Sequence, residues 1–281
     1  MEICKNFNSL YQSLASIRST EISIGFVPTM GALHQGHISL IEKAIDENDF
    51  CVVSIYINPL QFNNKNDLNN YPRTINDDLD KINTLNHSNC YIYLPSNEDI
   101  YPEIDSFKAI DLKGFDQEME GKYRPGHFQG VVHVVHNLFK QISPSKAYFG
   151  KKDFQQLFII KHIANAYKFD VEIVSCETIR SHDGLALSSR NKLLNSKQQK
   201  DALILSSVLK EIKSNKQHHS PEESLIAAKK RIERSALRLE YIHLVNTETL
   251  QQISSEWANN STCCLAAYCG DIRLIDCIEI Q

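Results

Sequence analysis

Two histidines three residues apart, His34 and His37, lie in the segment PTMGALHQGH. The apolar run Ile22–Thr29 before them predicts a strand, and helical spacing begins near Ile38, so both histidines fall on a strand-to-helix turn. At such a turn the free backbone N–H groups and the positive end of the helix dipole bind phosphate, and Gly36 lets a ligand approach the backbone closely. Neither GxGxxG nor a Walker A loop is present. The turn therefore predicts a nucleotide-phosphate site, with two surface histidines as the simpler alternative.

A second cluster, FGKKDFQQ, also follows a predicted strand and enters a helix. A lysine there, Lys152 above all, reaches phosphate as a point charge. Asp153 is suited to capping the helix, and Gln156 lies one turn beyond Lys152. A GKKD run by itself is more often a solvated charge run than a site.

Three further loops carry polar residues: Asp183–Asn191 (DGLALSSRN), Arg124–Phe128 (RPGHF) and Asn58–Phe62 (NPLQF). The first offers two hydroxyls and a guanidinium, which suit a triphosphate, although a linker with a helix cap has the same residues. Singly, each loop is better explained as structure. Four of the five clusters follow strands of one predicted sheet, so we expect a common cleft at the carboxyl ends of those strands.

Strand and helix patterns alternate over the first 180 residues, which predicts a parallel sheet covered by helices. The predicted strands there are Ile22–Thr29, Phe50–Asn58, Cys90–Leu94, Ala147–Gly150 and Val171–Cys176, and the predicted helices are the first 19 residues, Ile38–Glu47, Thr74–Asn86 (with Thr74 as its cap), Phe128–Ile142 and Asp153–Tyr167. Beyond Arg190 the predicted order is two helices, Ser196–Lys213 and Pro221–Ser235, and three strands, Glu240–Val245, Thr262–Tyr268 and Ile272–Ile278. We therefore predict an α/β fold with a Rossmann-like doubly wound sheet over residues 1–180 and a smaller C-terminal α+β domain over residues 181–281.

The composition excludes several classes of protein. The 281 residues include 30 Lys+Arg and 34 Asp+Glu, a net charge of −4, which is unsuited to coating nucleic acid or an anionic membrane. No apolar run approaches the roughly 20 residues of a membrane helix, and the start of the chain has no signal-peptide core. The eight cysteines form no CxxC and are predicted to be reduced, structural residues. We expect a cytoplasmic protein without nucleic-acid or membrane partners.

Long motifs in a fixed order carry a family resemblance. PTMGALHQGH, INPLQF, YPRT, RPGHFQGV, GKKDFQQL, DGLALSSRN and the terminal GDIRLID together resemble the pantoate–β-alanine ligase family, within the HxGH nucleotidyltransferase superfamily. The resemblance covers essentially the whole chain. One departure is Lys151, where the family usually carries glutamate in a G-E-K-D run.

The resemblance implies ATP-dependent ligation of pantoate and β-alanine through a pantoyl adenylate, with AMP and diphosphate as the other products. It implies that His37 is a proton donor and that His34, Lys152 and Arg190 act with it in catalysis. The C-terminal domain is expected to close over the ATP site. The residues implied to bind ATP are Met30, Gly31, Ala32, Leu33, His34, Gln35, Gly36, His37, Gly150, Lys151, Lys152, Asp153, Ile179, Leu187, Ser188, Ser189 and Arg190.

The same resemblance places pantoate and β-alanine against two glutamines, Gln61 and Gln156. Neutral amides suit a carboxylate that must act as a nucleophile, since a bidentate arginine would weaken it. The other residues implied at this subsite are Pro28, Met30, Arg124, Val134 and Val135, with Phe149 as a further apolar candidate. Mg²⁺ is expected on the ATP oxygens, with Asp77 and Asp78 as candidate contacts. A homodimer is a family expectation.

Two alternatives from other classes stay open. Two i,i+3 histidine pairs, His34/His37 and His133/His136, make a zinc hydrolase conceivable, although no carboxylate partner is evident. A non-catalytic nucleotide sensor is the second alternative. It would not need the pantoate glutamines.

Overall fold

The computed structural model describes residues 1–15, 17, 22–102 and 109–280. The chain divides into two compact units. The first unit comprises Met1–Asp116, Gly121–Gly150 and Ile159–Cys176. The second comprises Gln117–Glu120, Lys151–Phe158 and Glu177–Gln281, so two short segments belong to it although they precede its main part in sequence.

The first unit contains a six-stranded parallel sheet, as the alternating pattern predicts. Its strands are β1 (Glu2–Cys4), β2 (Ile24–Thr29), β3 (Phe50–Ile55), β4 (Cys90–Tyr93), β5 (Lys146–Gly150) and β6 (Glu172–Cys176). The strand order is β1-β4-β3-β2-β5-β6. From β2 the chain adds β3 and then β4 on one side of the sheet. It then adds β5 and β6 on the other side of β2. The switch point where ligands bind in such sheets therefore lies at the carboxyl ends of β2 and β5.

The prediction of one helix over the first 19 residues was wrong at its start. Residues Glu2–Cys4 form β1 and pair in parallel with β4, and the helix α1 spans Phe7–Ala15. The end of the predicted helix lies partly outside the described residues. Three residues are too few to show a strand period, so the pairing with β4 decides this segment.

Helices cover both faces of the sheet. Val27 of β2 packs in a core cluster with Ile41 and Ala44 of helix α2 (Gln35–Glu47). Its neighbour Phe26, whose side chain points to the opposite face, places its ring 6.2 Å from that of Phe139. The remaining helices up to residue 166 are α3 (Lys65–Asn70), α4 (Ile75–Asn83), α5 (Asn97–Ile100), α6 (Met119–Tyr123), α7 (His127–Ile142) and α8 (Phe154–Ala166), with 3₁₀ turns at Pro59–Gln61 and Lys151–Asp153.

The second unit is the predicted α+β arrangement. Its elements are a 3₁₀ helix at Ser189–Leu193, α9 (Ser196–Ser214), α10 (Pro221–Glu233), β7 (Leu237–Asn246), β8 (Ser261–Cys269) and β9 (Ile272–Ile280). The three strands form an antiparallel sheet in the order β7-β8-β9. Helices α9 and α10 share one apolar core with this sheet, which includes Leu205, Ile232 and Leu265. All eight cysteines are free and buried, and no helix among the described residues could cross a membrane.

Candidate active site

A carboxylate from another helix binds the backbone of the HxGH turn. Asp78 of α4 is fully buried, and its Oδ2 and Oδ1 accept hydrogen bonds from the backbone N–H groups of Ala32 (2.8 Å) and Leu33 (2.7 Å). Gly31 has a φ of +79°, and a Cβ on it would lie 3.1 Å from Asp78 Oδ2. The glycine therefore provides both the backbone conformation and the room for the carboxylate.

Thr74 occupies the N-cap position of α4, as predicted, but without the side-chain bond of a cap. Its hydroxyl donates instead to the Asp78 carboxylate, at 3.3 Å. The hydroxyl therefore acts as a donor to a buried carboxylate, not as the acceptor of a helix N–H group.

The two predicted histidines meet at the start of α2, and their ring centroids lie 4.0 Å apart. His34 is the cap of α2, and its Nδ1 accepts from the Gly36 N–H at 3.1 Å. His37 Nδ1 in turn accepts from the His34 N–H at 3.3 Å. A neutral imidazole whose Nδ1 accepts carries its proton on Nε2. The capping pattern thus assigns the proton of each neutral ring to Nε2, and it places both rings at a helix N-terminus, where anions such as phosphate bind.

Gln61 is fixed by a buried amide network that sequence reasoning missed. Its Oε1 accepts from Asn58 Nδ2 at 3.1 Å, and Asn58 Oδ1 accepts from the Tyr101 hydroxyl at 2.7 Å. Burial raises the pKa of Tyr101, so this hydroxyl stays a donor. With Oε1 committed, the Gln61 NH₂ group points to Met30 Sδ, 3.0 Å away. A thioether is a weak acceptor. The Asn-Pro pair of INPLQF was a readable signal for a helix start, whereas nothing in the sequence points to Tyr101.

Helix α7 also binds the 3₁₀ turn Pro59–Gln61, which carries Gln61. His127 Nδ1 donates to the carbonyl of Gln61 at 2.8 Å, and Asn58 Nδ2 donates to the carbonyl of Gly130 at 3.0 Å. Of the apolar residues predicted here, Val134 and Val135 are buried in α7 and Pro28 lies on β2. Arg124 lies in the loop before α7, where its carbonyl accepts from the His127 N–H.

In the second unit, the predicted turn carries two lysines with different surroundings. Lys151 Nζ lies 2.6 Å from Glu177 and 3.0 Å from Glu279. Burial acts to lower the pKa of Lys151, but the hydrogen bonds to the two glutamates outweigh it, so the pKa is raised. Lys152 is more buried, and its Nζ lies 3.6 Å from Asp153. Lys151, which stands where the family usually carries glutamate, thus has its positive charge balanced by two glutamates of the same unit.

The two consecutive glutamines after this turn have different roles. Gln155 is buried and binds the segment at the start of α6, accepting from the Glu120 N–H and donating to the Glu118 carbonyl, each at 2.9 Å. Gln156, the predicted substrate ligand, is only half-buried. This division of roles leaves Gln156 as the more accessible amide.

The loop DGLALSSRN folds back on the residues before it. The Leu187 N–H donates to the Ile179 carbonyl at 3.0 Å, which brings together two of the residues implied to bind ATP. Ser188 caps the following 3₁₀ helix through the Arg190 N–H, and Ser189 is buried. Arg180, which sequence reasoning missed, anchors the loop by a bidentate ion pair with the buried Asp276, at 2.7 and 2.8 Å.

The structure groups no metal ligands among the described residues: no three His, Cys, Asp or Glu side chains lie together as a metal site requires. Asp77 is exposed on α4, and neighbouring helix residues point about 100° apart, so Asp77 and Asp78 do not converge. His133 stacks near the Tyr101 ring at 4.6 Å, and His136 lies against the ring of Tyr167 at 4.8 Å. Their surroundings are aromatic.

Comparisons with known proteins agree over the full length of the chain. The family model described as pantoate-beta-alanine ligase matches residues 2–279. Pantothenate synthetase from Bacteroides fragilis is 41% identical over 284 residues, which cover 100% of this chain and 99% of that protein. The crystal structure of pantothenate synthetase from Thermus thermophilus matches with a TM-score of 0.91 at 36% identity, covering 100% of this chain and 99% of that one. The crystal structure of pantoate-beta-alanine ligase from Francisella tularensis, complexed with β-γ ATP and β-alanine, matches with a TM-score of 0.81 at 36% identity, covering 99% and 97%.

Proposed function

Because this chain belongs to the pantoate-beta-alanine ligase family, we propose that it joins pantoate to β-alanine and converts ATP to AMP and diphosphate. The observation that carries the proposal is the oriented amide of Gln61, whose N–H faces only a thioether in the network described above. An oxygen of pantoate is a better acceptor than sulfur and would take that position. The Francisella tularensis relative binds β-γ ATP and β-alanine, which supports both as substrates here.

The reaction proceeds in two steps. The pantoate carboxylate attacks the α-phosphorus of ATP, and diphosphate leaves with the electron pair of the broken P–O bond. The β-alanine amine then attacks the acyl carbon of pantoyl adenylate and loses a proton, and AMP leaves. A helix N-terminus with an imidazole pair, in a chain without a Walker A loop, favours this route over transfer of the γ-phosphoryl group.

The phosphate side of the reaction is assigned to cations and N–H donors. His34 and His37 each present Nε2–H to the phosphates, and the family resemblance assigns the proton donation to His37. In the second unit, Lys152 and Arg190 balance charge that builds on diphosphate as it leaves, assisted by Ser188 and Ser189. Adenine lies against Ile179 and Leu187, a role supported by the hydrogen bond between these two residues.

The pantoate side is assigned to neutral amides. Gln61 and Gln156 bind the carboxylate and hydroxyl oxygens of pantoate without neutralising the nucleophile, as an arginine would. The gem-dimethyl group is assigned to apolar residues of the first unit. The other proposed contacts are Pro28, Met30, Val134, Val135 and Arg124.

The described residues do not fit a protein-built magnesium site. Both oxygens of Asp78 already accept backbone N–H groups, and no three His, Cys, Asp or Glu side chains of the described residues lie together as a metal site requires. We propose that Mg²⁺ is held by the ATP oxygens and water, which is its usual state at nucleotide sites. No step is assigned to a protein-bound metal.

Two further proposals rest on the family resemblance. The protein forms a homodimer, which light scattering coupled to gel filtration measures directly. It acts in the cytoplasm. Closure of the C-terminal domain stays a prediction.

The function is tested by measuring AMP formation from ATP with pantoate and β-alanine, each omitted in turn. Pantothenate and AMP must form together only in the complete mixture. Pantoate labelled with ¹⁸O in its carboxyl group must transfer one labelled oxygen to AMP, whereas label in inorganic phosphate with ADP as product would exclude the adenylate route. ATP binding without pantoate-dependent turnover would indicate a nucleotide sensor, and stoichiometric zinc in the purified protein would favour the hydrolase.

Variants at the phosphate side test the assigned roles. His37→Ala and Lys152→Ala should each slow adenylate formation by about 10²–10⁴, because each removes one preorganised donor or cation. His87→Ala, at an exposed histidine outside the proposed site, is the control. Near-normal adenylate formation in either variant would remove its assigned role.

A further inference from the structure

Lys151 joins two carboxylates that are distant from it in sequence. Its Nζ lies 2.6 Å from Glu177, which follows β6, and 3.0 Å from Glu279 on β9. The Lys151 side chain is only 23% exposed, whereas Glu177 is 79% exposed. The lysine is thus the enclosed member of the three charges, and we call this group the Lys151 clamp.

The backbone of the same residue is bound by the same strand. Cys277 Sγ lies 3.0 Å from the Lys151 carbonyl oxygen and donates to it. Cys277 and Glu279 are two residues apart on β9, so their side chains lie on one face of the strand. One face of β9 therefore holds Lys151 by both its side chain and its main chain.

Lys151 and Lys152 are neighbours in a 3₁₀ turn, Lys151–Asp153. Successive residues of such a turn point about 120° apart, since there are three residues per turn. Lys151 points at the two glutamates, so the direction of Lys152 differs from theirs by about 120°. Fixing Lys151 fixes the rotation of the turn, and with it the direction of Lys152.

We propose that Lys151 is a positioning residue for Lys152. This inference rests on the proposed function, in which Lys152 balances charge on the diphosphate. The Lys151 clamp sets the orientation of the turn and places one positive charge between the carboxylates of Glu177 and Glu279.

The electrostatic reason is a competition for cations. Without the Lys151 ammonium, the carboxylates of Glu177 and Glu279 would lie close together without the cation that now contacts both. Two like charges so close repel each other. Rotation of the turn towards them would let Lys152 replace the missing cation. That rotation removes Lys152 from the phosphate without removing its side chain.

The test is a charge exchange within the clamp. Lys151→Glu should lower kcat for adenylate formation about 10- to 100-fold, because a displacement of about 1 Å at a catalytic group has an effect of this size. The KM for pantoate should change less than threefold. The double variant Lys151→Glu/Glu279→Lys restores one cation and two carboxylates. If Lys151→Glu lowers kcat 100-fold, the double variant should have a kcat at least tenfold higher than that of Lys151→Glu. Lys151→Arg keeps the charge and should retain most of the activity that Lys151→Glu loses.

The matched control is Lys146→Glu, at the other end of the strand that leads into the turn. Lys146 is also half-buried and paired, with Nζ 3.4 Å from Glu47. Its reversal should leave kcat within about twofold of the parent. Melting temperatures of all variants separate misfolding from displacement, and the double variant decides the question even if Lys151→Glu is poorly folded.

Three results would overturn the inference. Lys151→Glu could retain kcat within twofold of the parent, the double variant could show no recovery, or Lys146→Glu could lose as much as Lys151→Glu. Failure of the proposed function is distinguishable, because the unmodified protein would then form no pantothenate in the complete mixture.

Discussion

Gly130 lies where helix α7 meets the turn that carries Gln61. A Cβ placed on Gly130 would lie 2.3 Å from the carbonyl oxygen of Leu60 and 2.6 Å from the backbone nitrogen of Gln61. Both are main-chain atoms, which cannot rotate away as the end of a side chain can. Gly130→Ala must therefore move either α7 or the turn.

The size of the effect follows from that distance. Ordinary contact begins near 3.4 Å, so the atoms must separate by about 1.1 Å. Overpacking of this kind costs about 1–3 kcal/mol of unfolding free energy. A shift of about 1 Å at a substrate-binding group lowers the rate about 100-fold, which is about 2.7 kcal/mol of transition-state stabilisation. We expect Gly130→Ala to lower kcat/KM for pantoate by about this factor, with a much smaller change in KM for ATP.

The assay is steady-state AMP formation with pantoate varied at saturating ATP, together with urea unfolding. Gly126→Ala is the control, because Gly126 caps the same helix with a φ of +80° and a Cβ there meets nothing within 4 Å. It adds about 1–2 kcal/mol of backbone strain without a clash, so pantoate kcat/KM should stay within about threefold of the parent. Equal kcat/KM values for Gly130→Ala and Gly126→Ala would refute the argument that α7 positions Gln61.

Three further predictions concern groups buried in the first unit. Tyr101→Phe removes the hydroxyl that donates to Asn58. Losing this hydrogen bond costs about 1 kcal/mol and should lower kcat/KM for pantoate about fivefold. Unchanged kinetics would mean that Tyr101 does not orient the amide network. Asp78→Asn places a donor against backbone N–H groups that now donate to a carboxylate, so unfolding free energy should fall by about 2–4 kcal/mol and ATP KM should rise; normal urea stability would contradict this. Burial, with a smaller effect of the neighbouring His136 charge, lowers the pKa of His133 from 6.5 to about 4, so the unfolded chain binds the proton more tightly. The contribution of His133 to the free energy of unfolding should be constant above about pH 6.5 and fall by up to about 3 kcal/mol as pH drops to about 4. His133→Gln should flatten this part of the pH profile, measured by urea unfolding. An unchanged slope in the variant would assign the loss of unfolding free energy to other groups.

The order of elements could be predicted from the sequence because local patterns determine it. The near-continuous apolar run in Phe50–Asn58 is typical of a strand buried on both faces, and β3 forms there. The HxGH motif was correctly predicted to lie between a strand and a helix, although α2 begins at Gln35, three residues before the predicted start near Ile38. The family resemblance supplied the candidate site residues, and their roles stay predictions until the variants are measured.

Features that depend on residues far apart in sequence could not be predicted. Asp78 looked like a metal contact, but the structure turns its carboxylate to backbone N–H groups 45 and 46 residues earlier. Lys151 looked like an isolated departure from a motif, yet its partners lie 26 and 128 residues further along the chain. The donor face of Gln61 depends on a hydroxyl 43 residues beyond Asn58.

The physical reason is the range of the interactions involved. Strand and helix periods are set by neighbouring residues, so the sequence alone determined the α/β pattern and the place of the phosphate turn. The direction of a buried polar side chain is set by whichever partner can satisfy it, because an unsatisfied buried group costs about 1–3 kcal/mol. Those partners become neighbours only when the sheets β1-β4-β3-β2-β5-β6 and β7-β8-β9 and the segments packed on them are formed. Tertiary structure alone therefore decided which way Gln61, Asp78 and Lys151 point.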